Sequence, residues 1–459
     1  MSNTSIIKKT KTVNMTEGAT FPLLIRFASS LMLGSIFQHL YNLADMSIAG
    51  YTLGDHALAA ISASSALITL INATAMGFNS GNSILVSQNF GAGNWEGARK
   101  AFAGVLKLCI GLIIIFTAVL YLTIGPLLKL VQTPEEIFTD AKAYIMTLIL
   151  GLFCTMMYNM YAGVYRALGN SVVPLVFLII CACLNIGLDI LFIVPLRMGV
   201  VGAGLATVVS QGLSVLMSAI HFHKNYPEMR LKKEDLRANP AMMRKMLPMG
   251  ISVAFSNSLF AIGDIAIQGA VNSLGQEAII AKAASQKIRS FAIVPSINMA
   301  HASATFTAQN YGAKKYERIP KGVYLSVLFN IAVNMITTAI AFAFGGSLIR
   351  LVTNTDSALV IANGQLMLRV VVPFIFTQTI VTAYRMALQS MEHKLAPIIG
   401  TGIELCTRFF CAFVLAPIWG FAGICWAEPL SWVVSGAVMF IWFNIAIKKL
   451  LKYNTNTTC

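Results

Sequence analysis

Long apolar runs alternate with short polar breaks along nearly the whole chain. The runs cover residues 21–50, 57–87, 101–125, 141–165, 171–195 and 200–222. They resume at 247–271, 278–308, 322–345, 358–388, 395–417 and 421–447. A helix of about 20 apolar residues spans the hydrocarbon layer, and each run reaches that length, several with room to tilt. A barrel strand would alternate apolar and polar positions over about ten residues, whereas these runs are continuous. The pattern predicts an all-α integral membrane protein of about twelve transmembrane helices.

Composition removes the soluble alternative. Of 459 residues, 57% are hydrophobic and 11% charged, against about 25% charged in a soluble domain. The net charge of +15 would point a soluble protein toward nucleic acid. Here the charges lie in short breaks between spans, and no platform of stacking aromatics with Arg accompanies them. Cys109, Cys154, Cys181, Cys183, Cys406, Cys411 and Cys425 sit in apolar runs without metal-ligand spacing, so they read as small hydrophobes. The His residues are scattered, and His221 and His223 read as solvated positions in a charged break. The first run is too long for a cleavable signal and reads as a retained helix.

Lys and Arg set the orientation. Lys8, Lys9, Lys11, Arg99, Lys100, Arg166, the stretch from Lys224 to Lys245, Lys314 to Lys321, Arg385, Lys394 and Lys448 to Lys452 would share one side. The other side offers little beyond Lys129, Lys142, Arg197 and Arg350. The bias predicts a plasma-membrane protein with both termini cytoplasmic.

The polar stretch 223–245 divides the spans six and six. The expected organisation is a tail (1–20), an N lobe (21–222), a linker (223–245), a C lobe (246–450) and a second tail (451–459). The halves repeat: SQNFGAG at 87–93 returns as AQNYGAK at 308–314, so Gln88 matches Gln309. Val131 matches Val352, VYRALGN at 164–170 echoes AYRMALQ at 383–389, and Gly199 and Gly202 match Gly420 and Gly423. An even helix number per copy makes the repeats parallel, related by a pseudo-two-fold axis along the membrane normal. Two such lobes suit alternating access.

Charges inside spans are costly, about 2.5–3.5 kcal/mol each at a helix centre. Gln38, Tyr41 and Asp45 share a face of the first span, and Asn185 and Asp189 lie one turn apart in the fifth, followed by Thr207 in the sixth. Two nearby carboxylates repel unless one holds a proton or a cation lies between them. That is the chemistry of a proton or sodium site. The bland readings are an interfacial Asp45, an Asp189–Arg197 pair, and interhelical hydrogen bonds at Asn185 and Thr207. In the second half, Asp264 lies near the position of Asp45. Glu404 and Arg408 are spaced for a local ion pair. Lys282, Lys287 and Arg289 would face a cleft or its rim.

The segments QHLYNLADMSIAG, SQNFGAG, YRALGNSVVP, LNIGLDILFIVP, AQNYGAKK and GIELCTRFF resemble the multidrug and toxic-compound extrusion (MATE) family, in particular its DinF-like branch. The resemblance runs from about Phe21 to Lys449. It implies two six-helix bundles forming a cleft, and export of cationic or amphipathic organic compounds against proton or sodium entry. It implies a cation site at Asp45, Asn185, Asp189 and Thr207, with Tyr41 and Gln38 as polar neighbours. Many relatives carry a Pro in the first span where this chain has Ser29 and Ser30, and another where it has Ser252. The expected protein is a monomeric, non-enzymatic exporter without a cofactor beyond its coupling ion. A flippase for a lipid-linked sugar, which would need a basic cleft, is the alternative; no nucleophile–base spacing favours an enzyme.

Overall fold

The computed structural model describes residues 12–130, 133–235 and 240–458. In residue 46, much of 55–80, residue 130 and 454–458 it describes the backbone alone. Lys8, Lys9, Lys11 and Val131 lie outside the described residues. Helices account for nearly everything described: α1 (Thr20–Gly54), α2 (55–91), α3 (Trp95–Leu130), α4 (Glu135–Leu150), α5 (Leu152–Ala167), α6 (Val172–Ile193) and α7 (Gly199–Asn225). They continue as α8 (Pro240–Asn272), α9 (Gln276–Ala292), α10 (Val294–Gly312), α11 (Arg318–Thr353), α12 (Ala358–Val371), α13 (Ile375–Ser390) and α14 (Ala396–Phe410). A π-helical stretch (Cys411–Leu415) leads into α15 (Ala416–Trp419), α16 (Phe421–Cys425) and α17 (Ala427–Thr458). Among the described residues, nine helices are long and apolar enough to cross a membrane, or ten if α4 and α5, bent by 48°, form one span. The expected eighth span is the pair α9–α10, whose first half carries Lys282, Lys287 and Arg289.

The chain forms two units. One holds Met1–Asn14 and Ser29–Gly250; the other holds Met15–Ala28 and Ile251–Cys459. The first turns of α1 thus belong with the second unit, where the Met15 N–H donates to Gln309 Oε1 (3.0 Å) and Asn310 Nδ2 donates to the Met15 carbonyl (3.0 Å).

Backbone and packing repeat together. Gly54 and Gly275 break their helices with φ of 80° and 95°, and Gly199 and Gly420 start theirs with φ of 59° and 58°. Both pairs stand 221 positions apart, at left-handed conformations where a Cβ is costly. Tyr165 meets Phe222 edge-on at 5.4 Å between ring centroids, and Tyr384 meets Phe443 at 5.1 Å. The Ser214 hydroxyl donates to the Phe177 carbonyl (3.4 Å) and the Ser435 hydroxyl to the Gly400 carbonyl (3.1 Å). Each lobe therefore seats its fifth and sixth spans on one another by the same contact. In the N lobe these spans are α6 and α7. In the C lobe they are α14 and α17.

The linker is tied to the first unit. Tyr226 and Met229 are buried with Phe102 and Tyr165, and Arg99 Nε donates to Asp235 Oδ2 at 2.6 Å. Burial raises the Asp235 carboxyl, but the Lys232 N–H and Arg99 outweigh it and hold the group below the ordinary carboxylate range. A depressed folded value stabilises above the unfolded pKa of about 3.9 and is lost as pH falls through the folded value. Asp235→Ala is expected to speed tryptic cleavage of native protein at Lys232 and Lys233 at neutral pH. Unchanged cleavage would mean that the clasp does not hold the linker. His221, read from sequence as solvated, instead lies inside α7 with Nδ1 2.9 Å from the Tyr165 hydroxyl, because α7 continues to Asn225, three residues past the end of its apolar run.

Candidate cation-coupling site

The N-lobe site is assembled from three helices. The i,i+4 spacing stacks Tyr41 and Asp45 on α1, and the same spacing stacks Asn185 and Asp189 on α6. Thr207 enters from the third turn of α7, which the Ser214 contact holds against α6. The Asp45 and Asp189 carboxyls stand within hydrogen-bonding reach of each other. Asn185 and Asp189 are completely buried, and Asp45 is half-buried.

Asn185 lies between two partners. In one orientation its Nδ2 donates to Thr207 Oγ1 at 3.4 Å. In the opposite, better-satisfied orientation Nδ2 donates to Asp189 Oδ2 at 2.9 Å while Oδ1 accepts the Thr207 N–H at 3.2 Å. Thr207 Oγ1 donates to the Ala203 carbonyl, and the Tyr41 and Thr207 hydroxyls are hydrogen-bonded. The remaining oxygen, Asp189 Oδ1, is buried, and no N–H or O–H donor of the described residues reaches it. A buried carboxylate oxygen requires a partner. Beside a second carboxyl, a proton or a small cation can fill that role. Carboxylate, amide and hydroxyl oxygens also form a hard donor set suited to a small cation.

Gln38 is not drawn into this group. It donates to Asn42 Oδ1 (3.1 Å) on the exposed side of α1. Nor does Asp189 pair with Arg197, which lies exposed beyond the end of α6. Tyr144 on α4 stands within electrostatic reach of both carboxyls. Sequence reasoning missed it because one Tyr inside an apolar run carries no signal of its direction. Gly204, against which its ring rests at 3.5 Å from an ideal Cβ, was the available hint.

The C-lobe charges pair differently from their spacing. Arg408 does not bond Glu404: its Nη1 donates to Asp264 Oδ1 at 2.9 Å, across to α8, and Glu404 instead receives Arg385 at 3.4 Å. Gly263 permits this, since a Cβ there would stand 2.9 Å from Arg408 Cδ. Arg289 pairs with Glu428 of α17. Lys282 is buried and donates to Gln268 Oε1 at 2.8 Å, whereas Lys287 is exposed.

The family model described as MatE matches residues 30–191 and 252–414, once in each half. A probable multidrug resistance protein of Bacillus subtilis, YpnP, is 27% identical over 350 residues, covering 76% of this chain and 78% of its own. The multidrug export protein MepA of Staphylococcus haemolyticus is 21% identical over 435 residues, covering 94% of each chain. A crystal structure of MATE in the bent conformation superposes with a TM-score of 0.90 at 22% identity, covering 96% of this chain and 98% of that one.

Proposed function

This chain belongs to the MatE family, and we propose that it is a secondary exporter that drives cationic and amphipathic organic molecules out of the cell against an entering cation held at Asp45 and Asp189. The observation that carries the reading is the contact between the two carboxyls, together with the donorless, buried Asp189 Oδ1. An ionised carboxylate only accepts hydrogen bonds, so two carboxyls in mutual contact share a proton. This favours a proton over sodium as the coupling ion. The names of the relatives support multidrug substrates, and the distribution of Lys and Arg supports cytoplasmic termini in the plasma membrane.

The exchange follows from competition between two states. Proton binding at the pair favours one lobe arrangement, cargo favours the other, and transport requires that each ligand distinguish the two arrangements. Asn185, Thr207 and Tyr41 hold the pair in register by donating to it or to each other. The test is proton release by purified, weakly buffered protein on addition of ethidium. Release near one proton per bound dye in wild type, and none in Asp189→Asn, is expected. Dye binding without proton release from wild type would contradict proton coupling.

A further inference from the structure

The two lobes carry opposite chemistry at matching positions. The Ser214–Phe177 and Ser435–Gly400 hydrogen bonds align α6 with α14 at a separation of 223 positions and α7 with α17 at 221. On that alignment Arg408 stands where the N lobe has Asn185, and Glu428 stands where it has Thr207. Asp189 falls on Ala412, and at the 221-position offset of Gly54 and Gly275 Asp45 falls on Ala266. The place that holds two carboxyls in one lobe is thus occupied by an arginine and its surroundings in the other.

Those surroundings hold an excess of positive charge. Arg408 is 1% exposed; its guanidinium lies 4.0 Å from the Phe260 ring centroid, and Nη1 is engaged by Asp264. Its Nε and Nη2 donate to nothing among the described residues. Lys282, Arg289 and Arg408 stand within electrostatic reach of Asp264 and of one another. Arg289 is taken by Glu428, and Lys282 has only the neutral Gln268 amide among its described contacts. Three cations, Lys282 and Arg408 buried and Arg289 18% exposed, therefore face two carboxylates, and one of those, Asp264, is 49% exposed. Buried cations call for anions. The unengaged Nε–Nη2 edge is the side-on fork that matches a carboxylate with two parallel hydrogen bonds.

We propose that the C lobe contains a carboxylate-binding site, in which the Nε–Nη2 edge of Arg408 and the ammonium of Lys282 receive an organic carboxylate while the half-exposed Asp264 gives way. This rests on the exporter reading and extends it: preferred cargo carries an acidic group beside its cationic aromatic part. Asp264 acts as an internal stand-in for that group, holding Arg408 until cargo arrives.

Two dyes that differ only at the acid test this: rhodamine 110, a free carboxylic acid, and rhodamine 123, its methyl ester. Binding to the purified full-length chain is read by fluorescence polarisation. Wild type is expected to bind the acid about tenfold more tightly than the ester, the size of one charge-assisted hydrogen bond. Lys282→Met and Arg408→Lys are expected to erase that preference, so that acid and ester bind with equal affinity. Asp264→Asn, which removes the internal competitor and leaves every cation in place, is expected to tighten acid binding severalfold and serves if the other variants fail to fold. Equal affinity for acid and ester in wild type overturns the proposal, as does an acid preference that survives in Lys282→Met and Arg408→Lys. If the ester still binds and its efflux still depends on Asp189, only the carboxylate site falls. If neither dye binds, the exporter reading falls with it.

Discussion

Asp189→Asn is expected to abolish uphill efflux, lowering it at least about a hundredfold, while dye binding changes by less than about threefold. Asn keeps the shape of Asp and can still meet Asn185 and Asp45, so the completely buried position stays filled. What it cannot do is take and release a proton or neutralise a cation. A coupling ion that no longer distinguishes two states shifts nothing between them, however well cargo binds. Asp45→Asn should behave alike, because the two carboxyls stand within hydrogen-bonding reach of each other and, on the proposed coupling, act as one unit. The thermal midpoint is expected to stay within a few degrees of wild type. Full efflux in either variant would remove these residues from the coupling step. A loss of efflux accompanied by unfolding would be resolved by the dye-binding measurement.

The second large effect concerns stability. Arg289→Met leaves the Glu428 carboxylate, only 12% exposed, without its cation, and removes the guanidinium from beside the Trp432 ring at 6.0 Å. Breaking one side of a buried pair costs about 3–5 kcal/mol. A fall of roughly 10 °C in the thermal midpoint in detergent follows for a lobe of this size. The double variant Arg289→Met, Glu428→Leu is expected to recover most of that loss, since two apolar side chains replace a desolvated pair at little net cost. A double variant as unstable as Arg289→Met would show that packing around Arg289, and not the unpaired Glu428, sets the loss.

What sequence alone makes legible here is what periodicity and local spacing encode. Apolar runs give the spans, because a bilayer imposes length and polarity on each helix separately. The repeat is legible because duplicated turns keep their glycines, as at Gly199 and Gly420, where φ is near +60° in both copies. Local stacking brings Tyr41 beside Asp45 and Asn185 beside Asp189, and those spacings are visible without a structure. Partner choice across helices is not. Glu404 and Arg408 are one turn apart and both buried, yet each is taken by another helix. The decision lies in a missing side chain at Gly263, which lets Arg408 lie against α8. Gln38 shows the converse: it has the spacing to join Asp45, but the exposed face of α1 turns it toward Asn42. Lys282 illustrates a third limit, since an apolar-run lysine reads as lining a cleft or its rim until its burial against Gln268 is seen.

The central claim is that the Asp45–Asp189 pair converts an ion gradient into export. Its most direct test is ethidium efflux in proteoliposomes with proton and sodium gradients imposed separately, for wild type and Asp45→Asn side by side. Uphill efflux is expected in wild type under the proton gradient alone, and none in the variant under either. Efflux by the variant equal to wild type, or wild-type efflux indifferent to both gradients, would contradict it.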